Sequence, residues 1–259
     1  MPMNPALLLL ADSRLPAGGH AHSGGTEQAV TSGAVFDVPS LARFLRGRLH
    51  TTGALAATLT TAAHTQTATT GLRAGAGPGA EAEVGQAASG SPWVLLDAEV
   101  DARTAAPAQR NASRTQGRLL LRVARRMWPS PVLEELARAV PSPHHPIALG
   151  AVAYAAGATA EEAAMAAAYH AISGPATAAV RLLGLDPVAV HGLLADLTPD
   201  LTATAAEAHL AVTKARSTAL AGQTPDPRAW LAALPAHSSP ALDLLAEQHA
   251  RAEVRLFVS

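Results

Sequence analysis

Apolar positions along this chain recur at helical spacing, and no stretch alternates apolar and polar residues as a half-buried strand would. Several of the periodic segments open on explicit capping chemistry. Ser130-Pro131, Asp186-Pro187, Thr198-Pro199 and Asp226-Pro227 each place a capping side chain before a proline. The cap oxygen takes up an N–H that the helix leaves unpaired, and proline at the first helical position loses no hydrogen bond. Thr159-x-x-Glu162 reads as a capping box. These signals predict helices over 131–140, 160–173, 187–196, 199–221 and 227–234. The other periodic segments predict helices over 4–11, 24–32, 40–64, 93–105, 108–128, 146–156 and 240–254. The expected fold class is all-α: a single domain of about ten helices packed as an irregular bundle over residues 1–259.

Two interruptions stand out in that pattern. Residues 65–92 are rich in Thr, Gly, Ala and Ser with almost no large apolar side chain. Such a segment buries too little to offset the entropy of ordering, so a flexible low-complexity surface loop is expected there. Gly174-Pro175 is expected to break or kink the helix that precedes it.

Composition narrows the picture. The chain has 259 residues, 49% hydrophobic but only 3% aromatic, so alanine, leucine and valine must build the core. Small side chains allow helices to approach closely, and alanine has the best helix propensity. The net charge is −1, which gives no overall field for nucleic acid or anionic lipid. Cysteine is absent, which excludes disulfides, thiolate catalysis and sulfur-rich metal sites. The N-terminal apolar run is too short for a signal peptide, and Glu161-Glu162 interrupts the long alanine-rich stretch. A cytoplasmic protein without a membrane span is expected.

Residues 14–27, Arg-Leu-Pro-Ala-Gly-Gly-His-Ala-His-Ser-Gly-Gly-Thr-Glu, hold four glycines, two histidines and one carboxylate. Paired glycines at Gly18-Gly19 and Gly24-Gly25 mark a loop with a defined path. His20 and His22 are the sharpest candidate metal ligands, since imidazole suits nickel, zinc or copper. The alternative, that both rings cap turns or pack against helices, is favoured because two histidines alone do not close a metal site. His144-His145 and the pair His249/Glu253 read as ordinary surface residues. Arg110, Arg114, Arg118 and Arg122 recur every four residues, followed by Arg125 and Arg126, and form a basic stripe. A solvated face or a contact with an acidic neighbour is the favoured reading over nucleic acid. Arg103, Asp97, Glu99 and Asp101 on the preceding helix supply possible partners within the chain.

Catalytic signatures are missing. The single lysine, Lys214, lies in no phosphate-binding loop, and neither His-Glu-x-x-His nor Gly-x-Ser-x-Gly occurs. No enzyme activity and no cofactor are expected. At the other end, residues 242–257 read as an amphipathic helix running into Arg255-Leu256-Phe257. An apolar anchor at a chain end that normally frays suggests docking, onto the domain itself or into a partner groove.

The N-terminal run resembles the signature of the urease accessory protein family UreF, through Leu15, Pro16, Gly18, Gly19, Ser23, Gly25 and Glu27. The family's C-terminal histidine followed by Arg-Leu-Phe is matched by His249, Arg255, Leu256 and Phe257, with Ala250 where an acidic residue is common. Residues 93–126, 144–157 and 168–183 are also similar to the family, the last ending in its Ala-Ala-Val-Arg-Leu. The resemblance implies an all-α dimer that assembles with UreD (UreH in some organisms) and the GTPase UreG to deliver nickel to apo-urease. It implies a partner-docking tail at 240–259 and partner contacts by Arg181, His249, Arg255, Leu256 and Phe257. Two alternatives remain at this point: a metal-binding protein or metalloenzyme using His20 and His22, and a helical nucleic-acid binder using the arginine stripe.

Overall fold

Proline opens helices where the sequence places it, but of the expected caps only Asp186 and Thr159 form among the described residues. Ser130 makes no side-chain cap bond, Thr198 is itself the first helical residue, and Asp226 lies outside the described residues. A computed structural model describes residues 4–12, 14–74, 91–221 and 227–259, and among these it contains thirteen α-helices and no strand. They are α1 (Ala6–Ala11), α2 (Thr26–Thr31), α3 (Val38–Arg48), α4 (Ala54–Ala74), α5 (Pro92–Arg103), α6 (Pro107–Met127) and α7 (Pro131–Ala139). There follow α8 (His145–Ala155), α9 (Ala160–Leu183), α10 (Pro187–Asp196), α11 (Thr198–Ala221), α12 (Pro227–Ala232) and α13 (Pro240–Arg251). The Asp186 carboxylate accepts the Val188 N–H at 3.0 Å. The capping box closes as expected, with Glu162 N–H on Thr159 Oγ1 at 3.2 Å and Thr159 N–H on Glu162 Oε2 at 2.9 Å. No described helix is long and apolar enough to cross a membrane.

The centre of the bundle is α8. Every residue from Pro146 to Ala153 is buried, so this helix is apolar all round and sits inside the fold. It packs against α4, α6 and α9. Close approach rests on small residues: a Cβ on Gly150 would lie 2.3 Å from the Thr60 carbonyl oxygen. Two apolar groups surround this centre. One gathers Trp93, Leu133, Ile147 and Leu149, and the other Leu41, Leu45, Ile172 and Val190. Helix α9 contributes alanines to both, which joins them into one domain.

Three expectations need correction. The segment 65–92 does not begin as a loop: α4 continues to Ala74, while α5 starts at Pro92, and residues 75–90 lie outside those described. Gly174-Pro175 does not end its helix either, since α9 runs through Pro175 to Leu183. At the C-terminus, α13 stops at Arg251, and Ala252 leaves it with extended backbone (φ −68°, ψ 132°) instead of continuing as a helix to 254.

A π-turn, Leu49–Gly53, links α3 to α4 without a break. It places Arg48 at the point where the helix register changes. Gly53 is pressed against α9, where an added Cβ would meet the Ala171 Cβ at 3.2 Å.

Candidate functional site: the glycine-rich loop and the docked tail

The loop between α1 and α2 is shaped by left-handed backbone. Gly24 and Gly25 have φ of +60° and +90°, a region that side-chain-bearing residues rarely adopt. Gly24 has a second requirement, because an added Cβ would sit 3.0 Å from both the Arg48 guanidinium and the Pro175 ring.

Arg48 ties this loop to α9. Proline at 175 has no N–H, so the Ala171 carbonyl loses its ordinary helical partner. Arg48 supplies the replacement: Nε donates to Ala171 O at 2.7 Å and Nη1 to Gly24 O at 2.7 Å. Thr26 Oγ1 donates to the Pro175 carbonyl at 3.3 Å. The helix survives its proline because a guanidinium from α3 satisfies the freed carbonyl. Burial lowers the Arg48 pKa to about 10.

The tail lies on this loop. Val258 N–H donates to Ala21 O at 2.8 Å, and Ser23 N–H donates to Ser259 O at 2.5 Å. Glu27 caps the approaching backbone, taking Leu256 N–H at 2.6 Å and Phe257 N–H at 3.0 Å on its two oxygens. His249 is buried beside them, with Nε2 at 3.3 Å from the Phe257 carbonyl and Nδ1 3.7 Å from Glu27 Oε2. A carbonyl only accepts, so His249 carries its proton on Nε2. The Phe257 ring is buried, and the Arg181 guanidinium lies 4.9 Å from its centroid in a cation–π contact.

The structure therefore brings together Ser23, Glu27, Arg181, His249 and Phe257, from two ends and the middle of the sequence. Leu256 and Arg255 are exposed residues of the tail. Pro16 and Gly19 are exposed, and Leu15 packs on the main core. Gly18 is left-handed at φ +78° and opens the 3-10 turn Gly19–Ala21.

His20 and His22 do not act as a pair. His20 is exposed, whereas His22 is buried and bonds Ser259 Oγ through Nδ1. Burial, with the charge of His20 second, pushes the His22 pKa down. The reading of His144, His145 and His249 as surface residues is overturned. His144 is fully buried, with its N–H on Asp97 Oδ1 and its Nε2 on Asp101 Oδ1, both at 2.9 Å. His145 faces the interior, where burial, His170 and His22 push its pKa down to about 3.

Among the described residues, Asp97, Asp101 and His144 are the group whose donor atoms lie close enough to hold a metal. Arg114 already bridges the two carboxylates, at 2.9 Å to Asp97 and 2.6 Å to Asp101. A guanidinium in that place neutralises the charge a cation would need. The arginine stripe is thus divided. Arg110 and Arg114 turn toward α5, Arg125 pairs with Glu134 on α7, and Arg118, Arg122 and Arg126 are exposed. Arg103 pairs with Glu99 within α5, as the charges on that helix suggested.

Sequence comparison gives these contacts a family. The UreF profile matches residues 35–198. The urease accessory protein UreF of Mycobacterium sp. (strain JLS) is 42% identical over 256 residues, covering 98% of this chain and 97% of that protein. This chain belongs to the UreF family. The UreF proteins of Mycolicibacterium vanbaalenii and Mycobacterium tuberculosis (strain H37Rv) are 40% and 38% identical over 253 residues, each covering 98% of this chain and 97% of the relative. The family profile starts at residue 35, so the glycine-rich loop and the tail lie outside it, while the full-length relatives cover nearly the whole chain.

Sequence reasoning missed Arg48 and His170 and took His145 for a surface residue. Arg48 sits on the face that also carries Leu41 and Leu45, and a charge on an apolar stripe was the available signal. For the two histidines no local signal exists, because their surroundings come from distant helices.

Proposed function

We propose that this protein is a urease accessory scaffold that helps deliver nickel to apo-urease and performs no covalent chemistry of its own. In this reading it works in the cytoplasm as a homodimer, assembled with a UreD-type (UreH) partner and the GTPase UreG. It positions the GTPase, couples nucleotide state to nickel release and hands the metal on as cargo. Relatives named urease accessory protein UreF, matched over 97% of their own length, support it.

The observation that carries the reading furthest is the tail. Phe257 is turned inward at 5% exposure, while Val254, Leu256 and Val258 stand 91%, 59% and 62% exposed. An apolar edge pinned to a folded surface by Glu27 is suited to enter a partner groove, since ordering it costs little further entropy. Deleting residues 250–259 is expected to abolish co-purification with the UreD-type partner while far-UV helicity stays unchanged. Retained binding after the deletion would refute the assignment of the tail.

Arg181 is assigned to the GTPase side of the assembly. Arg181→Asp is expected to weaken UreG capture about tenfold, the loss of one charge-assisted contact. Unaltered UreG affinity, measured by biolayer interferometry with the UreD-type partner present, counts against that role. Simultaneous loss of the UreD-type partner assigns Arg181 to holding Phe257 instead.

A further inference from the structure

Behind the docked tail, between α3, α6, α9 and α13, lies a cavity of about 410 Å3. The titratable side chains that line it are all basic, His22, Arg48, His145, His170, His249 and Arg255, and the backbone end of Ser259 lines it too. No Asp or Glu is among the described residues that line it. Ser259 accepts the Ser23 N–H, Glu27 is engaged with the tail backbone and Glu247 with the Ala108 N–H.

Arg48 is the anomaly. Its guanidinium donates to two carbonyl oxygens, but among the described residues no carboxylate pairs with it. Carbonyl dipoles satisfy its hydrogen bonds and leave the net charge uncompensated. Arg48 is only half-buried, and a charge partly withdrawn from water without a counter-charge beside it favours an anion as its partner. The imidazoles beside it have nitrogens to spare. His170 donates Nε2–H to the Leu10 carbonyl and leaves Nδ1 free, while His22 uses Nδ1 on Ser259 and leaves Nε2. The His145 and His170 rings lie 5.9 Å apart between centroids.

We propose that this cavity binds a small oxyanion, of the phosphate, carbonate or carboxylate class, seated on Arg48 and contacted by His22, His145 and His170. A divalent cation is the poorer occupant, because it would add charge beside Arg48 and Arg255 where no Asp or Glu side chain among the described lining residues offsets it. A neutral molecule would leave the guanidinium charge unanswered. The imidazoles suit an anion: each can take up a proton as the anion enters, and then donate to an oxygen. The proposal is independent of the urease reading, since it rests on the charge of the cavity alone.

Inorganic phosphate, bicarbonate and acetate are titrated separately into the full-length protein at constant ionic strength, with chloride as background. Calorimetry is expected to show saturable binding of at least one of them at one site per chain. Arg48→Gln should weaken that binding about tenfold or more, the loss of a charged hydrogen bond. Because Arg48 also braces α9, the same titration is followed in the unaltered protein through imidazole nitrogen resonances. His22, His145 and His170 should shift on binding, while His191, exposed on α10, should not. Arg255→Gln, at an exposed position, should weaken binding without affecting folding. If none of the three anions binds saturably, or if only His191 and other exposed histidines respond, the proposal fails.

Discussion

Gly150→Ala is expected to destabilise the fold by about 3 kcal/mol or more, the upper end of overpacking costs. The added methyl would meet the Thr60 carbonyl oxygen at 2.3 Å, the Ala63 Cβ at 2.7 Å and the His64 nitrogen at 2.8 Å. Two of those atoms are backbone in α4, so no rotamer change relieves the clash; one helix must move. Because α8 is buried on all sides, its displacement disturbs α6 and α9 together. Urea unfolding checks this as a fall in midpoint at unchanged slope. Gly192→Ala is the control: it lies in α10 with open space around its Cα, and gains helix propensity of about 0.5–1 kcal/mol. Equal stability of the two variants would mean that the α4–α8 contact is looser than the distances imply.

Helix α4 shows where the sequence misled. Residues 65–74 read as loop because Leu72 is their one large apolar side chain, yet α4 continues through them to Ala74. Its threonines turn inward on their own helix, Thr58, Thr61 and Thr67 each donating to the carbonyl four residues back. A hydroxyl satisfied in this way behaves as a small packing group. Composition alone does not separate a polar coil from such a helix.

The helix starts were legible because caps are local. Thr159 and Glu162 are three residues apart, and the chemistry that joins them needs nothing else. Pro175 shows the opposite case. Whether a proline breaks a helix depends on who takes the freed carbonyl, and here the donor stands 123 residues away in Arg48. The candidate site divides along the same line. Glu27, His249 and Phe257 were found through motifs at the two chain ends. The interior place of His145 and the role of Arg48 became visible only when distant helices were packed around one cavity. Likewise, Arg110 and Arg114 belonged to a periodic stripe, but their orientation toward α5 was set by packing against Asp97 and Asp101.

Acidification should weaken the fold well before the carboxylates titrate. Burial holds His145 neutral, with a pKa of about 3, and lowers the pKa values of His22, His64, His144 and His170 in the same direction. In the unfolded chain each imidazole takes a proton near pH 6.5. Below that pH the unfolded state therefore binds more protons than the native state, and stability falls as pH falls. The slope is about 1.4 kcal/mol per pH unit for each histidine that stays neutral in the fold, so His145 alone costs about 2 kcal/mol between pH 6.5 and pH 5. The depressed carboxyl groups of Asp12, Asp37 and Glu162 act in the same sense only below the usual carboxylate range, outside this window. Urea midpoints measured at half-unit steps from pH 7.5 to pH 5 should decline, and His145→Gln should flatten the decline by about 2 kcal/mol over that interval. A stability independent of pH across this range would mean that these imidazoles already reach solvent in the native state, and the cavity lined by His22, His145 and His170 would then be open water.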